Sequence, residues 1–547
     1  MKRSTSKILC AAVAAGMIFS ACAKEQSDTN SGETSAAGET VQNDTAAAST
    51  AADTAEASYE KITAIYGEVR TEYNTSLDLS DYPLTENGAA DFSLTLEAED
   101  AVLEGNCSPQ GGEGYSGDAF VTLGQGDDKI KFTVEIENTG FYDLNFVSHA
   151  GDSGRENFVH IDGVNSGSIV CNSDGALVDS CLNNIYLDAG SHEIAIVPSW
   201  GYTDFDCLKI TGSNAVTADT YKVAENLSNP NADEHTKSLY KFLCDVYGKY
   251  SLTGQFADKG RLSSELAQIE KVTGKQFAVL GLDMMDYSST AVEHGSSGKT
   301  IEYAYDWYEN AGGIVQFCWH WHSPGEYAMN NEGHPWYSSF YIEHSNIDLD
   351  KIMNGEDEHG YELLMADIDR ISEQFARLRD QGVPVIWRPL HEASGGWFWW
   401  GSCEPESYKK LWITMYDKMT NEHNLTNLIW MWNGQSAGWY PGDEYVDIIS
   451  TDIYQGNNVY TSFSGSFAEA AACGNKLVAL SENGCVMDPD LVMRDNARWL
   501  FWGTWADPFT IKMGLINEEY TSKDMLTKAY NHDRTLTLDE LPDLKNY

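Results

Sequence analysis

Two glutamates each stand where an apolar run ends: Val383-Pro-Val-Ile-Trp-Arg-Pro-Leu-His-Glu392 and Lys476-Leu-Val-Ala-Leu-Ser-Glu482. Aromatic residues follow the first closely, at Trp397, Phe398, Trp399 and Trp400. Two carboxylates on strand ends among tryptophans suit cleavage of a glycosidic bond, one acting as acid/base and the other as nucleophile or base. One glutamate among 83 acidic residues would say little. Two that each terminate a buried run say more, because an unpaired carboxylate at such a place is costly.

The elements that must position them are legible from residue 220 to 535. Apolar strand candidates recur at Tyr250–Thr253, Phe277–Leu282, Gly313–Trp319, Val383–Trp387, Leu428–Trp432, Ile448–Ile453, Leu477–Leu480 and Leu500–Trp502, with helical stretches such as Tyr361–Arg379 and Pro405–Met419 between them. Eight strands alternating with helices, with functional residues at strand C-terminal ends, predict a (β/α)8 TIM barrel. Glu392 then follows the fourth strand and Glu482 the seventh. A doubly wound sheet is the alternative, although it gathers ligands at one switch point.

Upstream the texture differs. From 92 to 212 short alternating runs (Phe92–Glu97, Ala119–Leu123, Ile130–Ile136, Tyr142–Val147, Phe158–Ile161, Glu193–Val197, Cys207–Ile210) are punctuated by Gly, Asn and Asp. That pattern predicts an all-β sandwich preceding the barrel. Residues 58–91 form a linker of uncertain structure, with a short helix expected around Tyr59–Tyr73. Residues 22–57 are almost devoid of apolar side chains and read as a disordered tether. Residues 1–21 carry Lys2, Arg3 and an apolar run from Ile8 to Phe19, which reads as a signal peptide. Ser20-Ala21-Cys22 looks like a lipoprotein cleavage site, with Cys22 lipidated and the protein held at a bacterial cell surface; an ordinary secretory signal is the alternative.

The formal charge of −48 makes nucleic acid an improbable partner and fits a neutral substrate. Membrane contact is expected only through the lipid anchor, and the chain is expected to act as a monomer. Of the 11 cysteines none forms a Cys-x-x-Cys pair; Cys107, Cys171, Cys181 and Cys207 are placed where they could bridge in an oxidising compartment. No His-Glu-x-x-His is present, and the glycine-rich run Ser108–Gly114 lacks the lysine of a phosphate loop.

The barrel half resembles glycoside hydrolase family 26. The likeness runs through Ser251-Leu-Thr-Gly-Gln255, Gly281-Leu-Asp-Met-Met-Asp-Tyr287, Gly313-Ile-Val-Gln-Phe-Cys-Trp-His320 and Arg388-Pro-Leu-His-Glu392 with Trp397-Phe-Trp-Trp-Gly401. It continues in Trp430-Met-Trp-Asn433, Asp452-Ile-Tyr454, Ser481-Glu-Asn483 and Trp502-Gly-Thr-Trp505. The resemblance implies a retaining endo-β-1,4-mannanase acting on mannan, glucomannan or galactomannan without a catalytic cofactor. Mixed-linkage β-1,3-1,4-glucanase, β-1,3-xylanase and a non-catalytic surface glycan-binding protein are the alternatives. It further implies Glu392 as acid/base and Glu482 as nucleophile. His391 would help orient the nucleophile and Tyr454 would donate a hydrogen bond to it. His320, or His322 two positions on, would contact the sugar or the acid. Trp397 and Trp505 would be sugar platforms, with Trp502 as the alternative to Trp505, while Trp399 and Trp400 are equally compatible with core packing. Arg388 and Asp283 would orient carboxylates or sugar hydroxyls, or form a structural salt bridge.

The upstream region resembles carbohydrate-binding modules of families 6 and 35, through Glu97-Ala-Glu99, Gly114-Tyr-Ser-Gly117, Thr139-Gly-Phe-Tyr142 and Asp204-Phe-Asp206-Cys-Leu-Lys-Ile210. That likeness implies a structural calcium held by Glu97, Glu99 and Asp206, whose hard oxygens suit the ion. Trp200 and Tyr202, before the last strand, are its candidates for stacking on sugar; a plain spacer is the alternative.

Overall fold

The computed structural model describes residues 59–547 apart from 90, 151–153 and 172–175. The expected signal peptide, the tether and Cys22 lie outside the described residues.

The upstream region is a sandwich of two antiparallel sheets. One sheet runs Pro109–Gly111, Ala119–Leu123, Thr203–Gly212, Gly140–His149 and Val178–Leu187, with Ser93–Glu97 also paired to Thr203–Gly212. The other runs Val102–Glu104, Lys129–Ile136, Gly190–Pro198, Arg155–Ile161 and Val164–Cys171. Period-two patterning explains the core: in Lys129–Ile136 the residues Ile130, Phe132, Val134 and Ile136 point inward while Lys131, Thr133 and Glu135 face away. Four strands have no counterpart among the expected runs: Val102–Glu104 and Pro109–Gly111 are only three residues long, Val164–Cys171 is rich in Ser, Asn and Gly, and Val178–Leu187 carries Asp, Ser and two Asn that break alternation. All four sandwich cysteines are free thiols, so the bridges considered possible there do not form in this structure.

Eight parallel strands close the barrel: β1 Gly254–Phe256, β2 Val279–Asp283, β3 Ile314–Cys318, β4 Val385–Arg388, β5 Leu428–Trp432, β6 Ile448–Ile453, β7 Leu477–Asn483 and β8 Trp502–Thr504. Every residue of Leu-Ile-Trp-Met-Trp in β5 is buried, as expected of parallel strands covered on both faces. The helix Glu358–Arg379 lays Leu364, Ile368, Ile371, Phe375 and Leu378 on one stripe; the Asp357 carboxylate caps it by accepting from Gly360 N at 2.9 Å.

Three expectations need correction. The first barrel strand is Gly254–Phe256 rather than Tyr250–Thr253; Ser251–Leu252 pairs instead with Thr535–Leu536. The eighth is displaced to Trp502–Thr504, since the run before it is apolar only because it is buried beneath the outer layer. Residues 61–73 hold no helix. They run extended along the barrel instead, with Arg70 donating to the carbonyls of Leu538 (2.6 Å), Asp539 (3.2 Å) and Leu541 (2.8 Å). Carbonyls left over from the C-terminal segment thus take their donors from this strap. Among the described residues no helix is long and apolar enough to cross a membrane.

Candidate active site

β4 ends in Arg388, whose side chain is wholly buried inside the barrel. Its guanidinium donates through Nη1 to Asp452 Oδ2 at 2.7 Å and through Nη2 to Glu482 Oε1. Tyr454, just beyond β6, donates its phenol to the other oxygen, Glu482 Oε2, at 2.6 Å. Asp452 is held from behind by Ser481 Oγ at 2.7 Å, and Asn433 Nδ2 donates to the same serine at 2.7 Å. Glu482 is therefore fixed on both oxygens by groups from β4 and the end of β6.

Glu392 is placed differently. Leu390 (φ 52°) and Glu392 (φ 54°) both adopt left-handed backbone, an unfavourable conformation for residues with a Cβ. The kink is held because Glu392 N donates to Asn433, to its carbonyl at 2.7 Å and its Oδ1 at 3.1 Å. It turns the carboxylate back over the barrel mouth, where Trp397 Nε1 donates to Oε2 at 3.0 Å. Carboxylate oxygens of Glu392, Asp452 and Glu482 lie within 4.8 Å of one another. Retaining glycosidases hold their two carboxyls about 5–5.5 Å apart and inverting ones about 6.5–9.5 Å. With one oxygen of each carboxyl within 4.8 Å of the other, the pair agrees with the retaining class.

Burial and the neighbouring charges of Asp452 and Glu482 push the Glu392 carboxyl well above its ordinary range. Burial also raises Glu482, but Arg388 and the Tyr454 hydroxyl oppose it and hold the carboxyl to about 7. The two carboxyls thus differ in the way the chemistry needs. Glu392, with one indole donor and two anions beside it, takes the proton; Glu482, with a guanidinium and a phenol, carries the charge.

Around this pair stands an aromatic wall. Trp505 packs on Phe256 with ring centres 4.5 Å apart and lies 5.7 Å from His320. His320 Nδ1 is 2.5 Å from Asp283 Oδ2. Desolvation opposes charge on the imidazole, but the Asp283 carboxylate outweighs it and raises the histidine.

Glu392, Glu482, Arg388, Tyr454, Trp397, His320, Asp283, His391 and Trp505 all converge at the C-terminal mouth of the barrel. Asp283 takes the salt-bridge alternative, pairing with His320 rather than with a catalytic carboxylate because it ends β2 beside β3. Two placements differ from expectation. His391 does not hold the nucleophile: both oxygens of Glu482 are taken, and His391 is buried against His320, Phe398 and Trp400 with Nδ1 unpartnered. Burial and the adjacent cations Arg388 and His320 keep its imidazole neutral. Trp502 faces away from the mouth, in the outer layer beside Met487, Val492, Met493 and Tyr530. His322 is buried with Nε2 on the Tyr337 carbonyl at 3.3 Å. Trp399 and Trp400 are core, donating to the carbonyls of Trp321 and His391.

The sequence reading passed over Asp452, Asn433, Ser481 and Tyr341. Asp452 had a signal, since it too closes an apolar strand. Tyr341 had none: it arrives on a long irregular loop, stacks on Phe398 at 5.5 Å and lies in the field of Glu392.

In the sandwich, Glu97, Glu99 and Asp206 gather about one turn. Ser116 donates its N–H to Asp206 Oδ1 at 2.7 Å and its hydroxyl to Glu97 Oε2 at 2.6 Å. Glu99 packs on Gly117, which has φ 63° and no room for a Cβ, and its Oε2 is buried without a partner. Trp200 and Tyr202 are exposed, at 37% and 64%, with the Arg155 guanidinium 4.7 Å over the Trp200 ring.

An eight-stranded parallel barrel with an acid and a charge-paired carboxylate at retaining distance defines a glycoside hydrolase. Residues 228–540 match glycosyl hydrolase family 26, and the chain belongs to that family. Residues 94–212 match the family 35 carbohydrate binding module. The chain is 38% identical to a mannan endo-1,4-beta-mannosidase of Thermothelomyces thermophilus, over 82% of this chain and 90% of that one. It is 33% identical to mannan endo-1,4-beta-mannosidase B of Piromyces sp., over 82% and 77%. The crystal structure of a Podospora anserina GH26-CBM35 beta-(1,4)-mannanase superposes with a TM-score of 0.58 at 36% identity, covering 83% of this chain and all (100%) of that one.

Removing the phenol that stabilises ionised Glu482 raises that carboxyl's pKa. Tyr454→Phe is therefore expected to move the acid limb of the kcat/KM–pH profile to higher pH, with kcat reduced and the alkaline limb in place. An unmoved acid limb would separate Tyr454 from the group titrating there.

Proposed function

We propose that this chain is a retaining endo-β-1,4-mannanase hydrolysing internal linkages of mannan, glucomannan or galactomannan. The observation carrying the reading is the Glu392–Glu482 pair at retaining distance with its proton on Glu392; the named activity of the relatives supports the substrate class. Glu482 attacks the anomeric carbon while Glu392 gives its proton to the departing glycosidic oxygen. A glycosyl ester on Glu482 results. Glu392, now ionised, takes a proton from water, which attacks the same carbon and releases Glu482 with net retention. Arg388 and Tyr454 keep Glu482 anionic and aimed, and Trp505 offers an apolar face to a sugar ring. Short manno-oligosaccharides from glucomannan and galactomannan, with β-configured new reducing ends by NMR, are expected. Products from mixed-linkage glucan or β-1,3-xylan alone would move the assignment within the family.

The two glutamate roles separate experimentally. Glu482→Ala should lose nearly all turnover, and azide should rescue an activated aryl β-mannoside as the inverted glycosyl azide. Glu392→Ala should release an activated phenol in a burst and then stall, with azide speeding the slow phase and giving a retained product. Swapped azide stereochemistry would exchange the roles.

In the module we infer a calcium ion on Glu97, Glu99 and Asp206, supported by the orphaned Glu99 oxygen and the all-carboxylate donor set. Chelation should lower the melting temperature of the full-length protein, calcium should restore it, and Glu99→Gln should be insensitive to both. An unchanged melting temperature in EDTA counts against the ion. We assign sugar contact to the exposed Trp200 and Tyr202: Trp200→Ala should weaken retention of the full chain in mannan-containing gels, and unchanged retention would leave the module a spacer.

We also propose that Cys22 carries the lipid that holds the enzyme at the cell surface. Cys22→Ala should release activity from the membrane fraction into the medium; activity staying with the membrane would overturn this.

A further inference from the structure

Parallel register assembles a second set of chemically active side chains beside the catalytic pair. Asp283, the last residue of β2, is the register partner of Cys318, the last residue of β3, and adjacent strands lie about 4.8 Å apart. His320 comes two residues after Cys318, so extended backbone sends both side chains to one face. A carboxylate oxygen of Asp283, the Sγ of Cys318 and an imidazole nitrogen of His320 lie within 4.8 Å of one another. Cys318 is a free, fully buried thiol, and the hydrolytic chemistry above gives it nothing to do.

A thiol, an imidazole and a carboxylate are the donor types that bind zinc and softer ions, whereas calcium and magnesium select oxygen alone. Three protein ligands would leave one coordination position open to water. The set formed by Glu392, Asp452 and Glu482 meets the same distance limit, yet Arg388 already pairs with two of its members. Among the described residues the Asp283–Cys318–His320 set has no lysine or arginine bonded to any of its three members.

We propose that Asp283, Cys318 and His320 form a binding site for a borderline or soft divalent transition-metal ion, of the zinc and cadmium class, and that filling it switches hydrolysis off. Binding is a proton-for-metal exchange without redox change. The thiol proton of Cys318 and the proton between His320 Nδ1 and Asp283 Oδ2 leave to water as the metal–sulfur, metal–nitrogen and metal–oxygen bonds form. The nitrogen and oxygen, now 2.5 Å apart, must open to about 3.3 Å, the separation of two ligands on a tetrahedral ion with bonds of about 2.0–2.1 Å. An adjustment of that size falls within reach of a rim histidine. The bound ion removes His320 from the substrate's surroundings; two protons leave as the dication enters, so the net charge of the site is unchanged and the loss of activity follows from the loss of His320. The inhibitory half rests on the catalytic reading of this cleft; the binding half does not.

The test uses the full-length enzyme, titrated with cadmium and zinc beside Cys318→Ser and Cys318→Ala, whose metal-free activity and circular dichroism establish that they fold. Cadmium should produce a thiolate-to-metal absorption band in the wild type that exceeds that of either variant by the amount expected for one site. It should also inhibit hydrolysis at concentrations at least ten-fold lower than it does the variants, reversibly with EDTA. Equal absorption in wild type and variants would overturn the site. A lost band with unchanged inhibition would overturn the switch while leaving the site. Should the protein hydrolyse none of the glycans, the absorption difference still reads the binding half on its own.

Discussion

A guanidinium buried inside a barrel, with two carboxylates to receive it, is the constraint from which the rest of this active centre follows. Desolvating Arg388 is expensive, and losing either partner would leave an uncompensated charge, worth about 3–5 kcal/mol in comparable buried pairs. Its partners sit on different strands, and regular parallel pairing would not bring them level. Thr451 is paired with Leu480, but Asp452 is paired with Glu482, so β7 carries one extra residue against β6. A matching shift separates Leu480–Trp502 from Asn483–Thr504 on the other side. This bulge, at Ser481, re-aims the end of β7 so that Glu482 and Asp452 meet the same cation, and Ser481 itself fills the gap by bonding Asp452.

Charge counting then explains why one carboxyl stays protonated. Arg388, and His320 whose imidazole Asp283 raises, stand against Asp283, Asp452 and Glu482. A further anion at Glu392 would meet burial and the charges of Asp452 and Glu482 with only Arg388 and the Trp397 indole to offset them, so its carboxyl stays well above the ordinary range. The acid is made by its surroundings, whereas the nucleophile is made by its own hydrogen bonds. Such an arrangement lets the roles reverse after the first step: once Glu482 is esterified its charge is gone, and Glu392 can ionise and serve as base.

The two glutamates and the barrel were legible because strand ends are marked by where apolar runs stop, and six of the eight strands were found at or near their place. The errors share one cause: facing depends on register, which composition does not carry. Trp502 and Trp505 look interchangeable in the sequence, yet Gly503 between them faces the lumen, where a Cβ would strike Ser481 O and approach Gln316. Trp502 is thereby turned outward, while Trp505 lies past the strand end at the mouth. His391 was misjudged for a related reason, since left-handed backbone on both sides of it turns the ring into the wall. The strap at 61–73 was unreadable because its order comes from carbonyls more than 400 residues away in the chain.

Those distant contacts also bear on how the module serves the barrel. The chain clasps the barrel before entering the sandwich, with Thr85 and Asn496 exchanging hydrogen bonds at 3.0 and 3.1 Å. It returns to the barrel immediately after the sandwich, where Tyr221 donates to the Asn496 carbonyl and Ser228 Oγ to Asp447. Between these pins the sandwich strand Val178–Leu187 docks on the helix Ser464–Ala471, through Asn183 Nδ2 to Glu469 at 2.9 Å and Ser464 Oγ to the Asn184 carbonyl at 2.7 Å. Gly465 permits the approach, since a Cβ there would lie 2.7 Å from the Asn183 carbonyl. That helix joins β6 to β7, the two strands that deliver Asp452 and Glu482. The module is therefore fixed at both its ends and on one face to the part of the barrel that builds the nucleophile. A glycan held by such a module meets the cleft from a set direction, where a flexible linker would supply only a raised local concentration. Attachment of this kind costs reach and confers orientation, which suits an enzyme that cuts within a long chain.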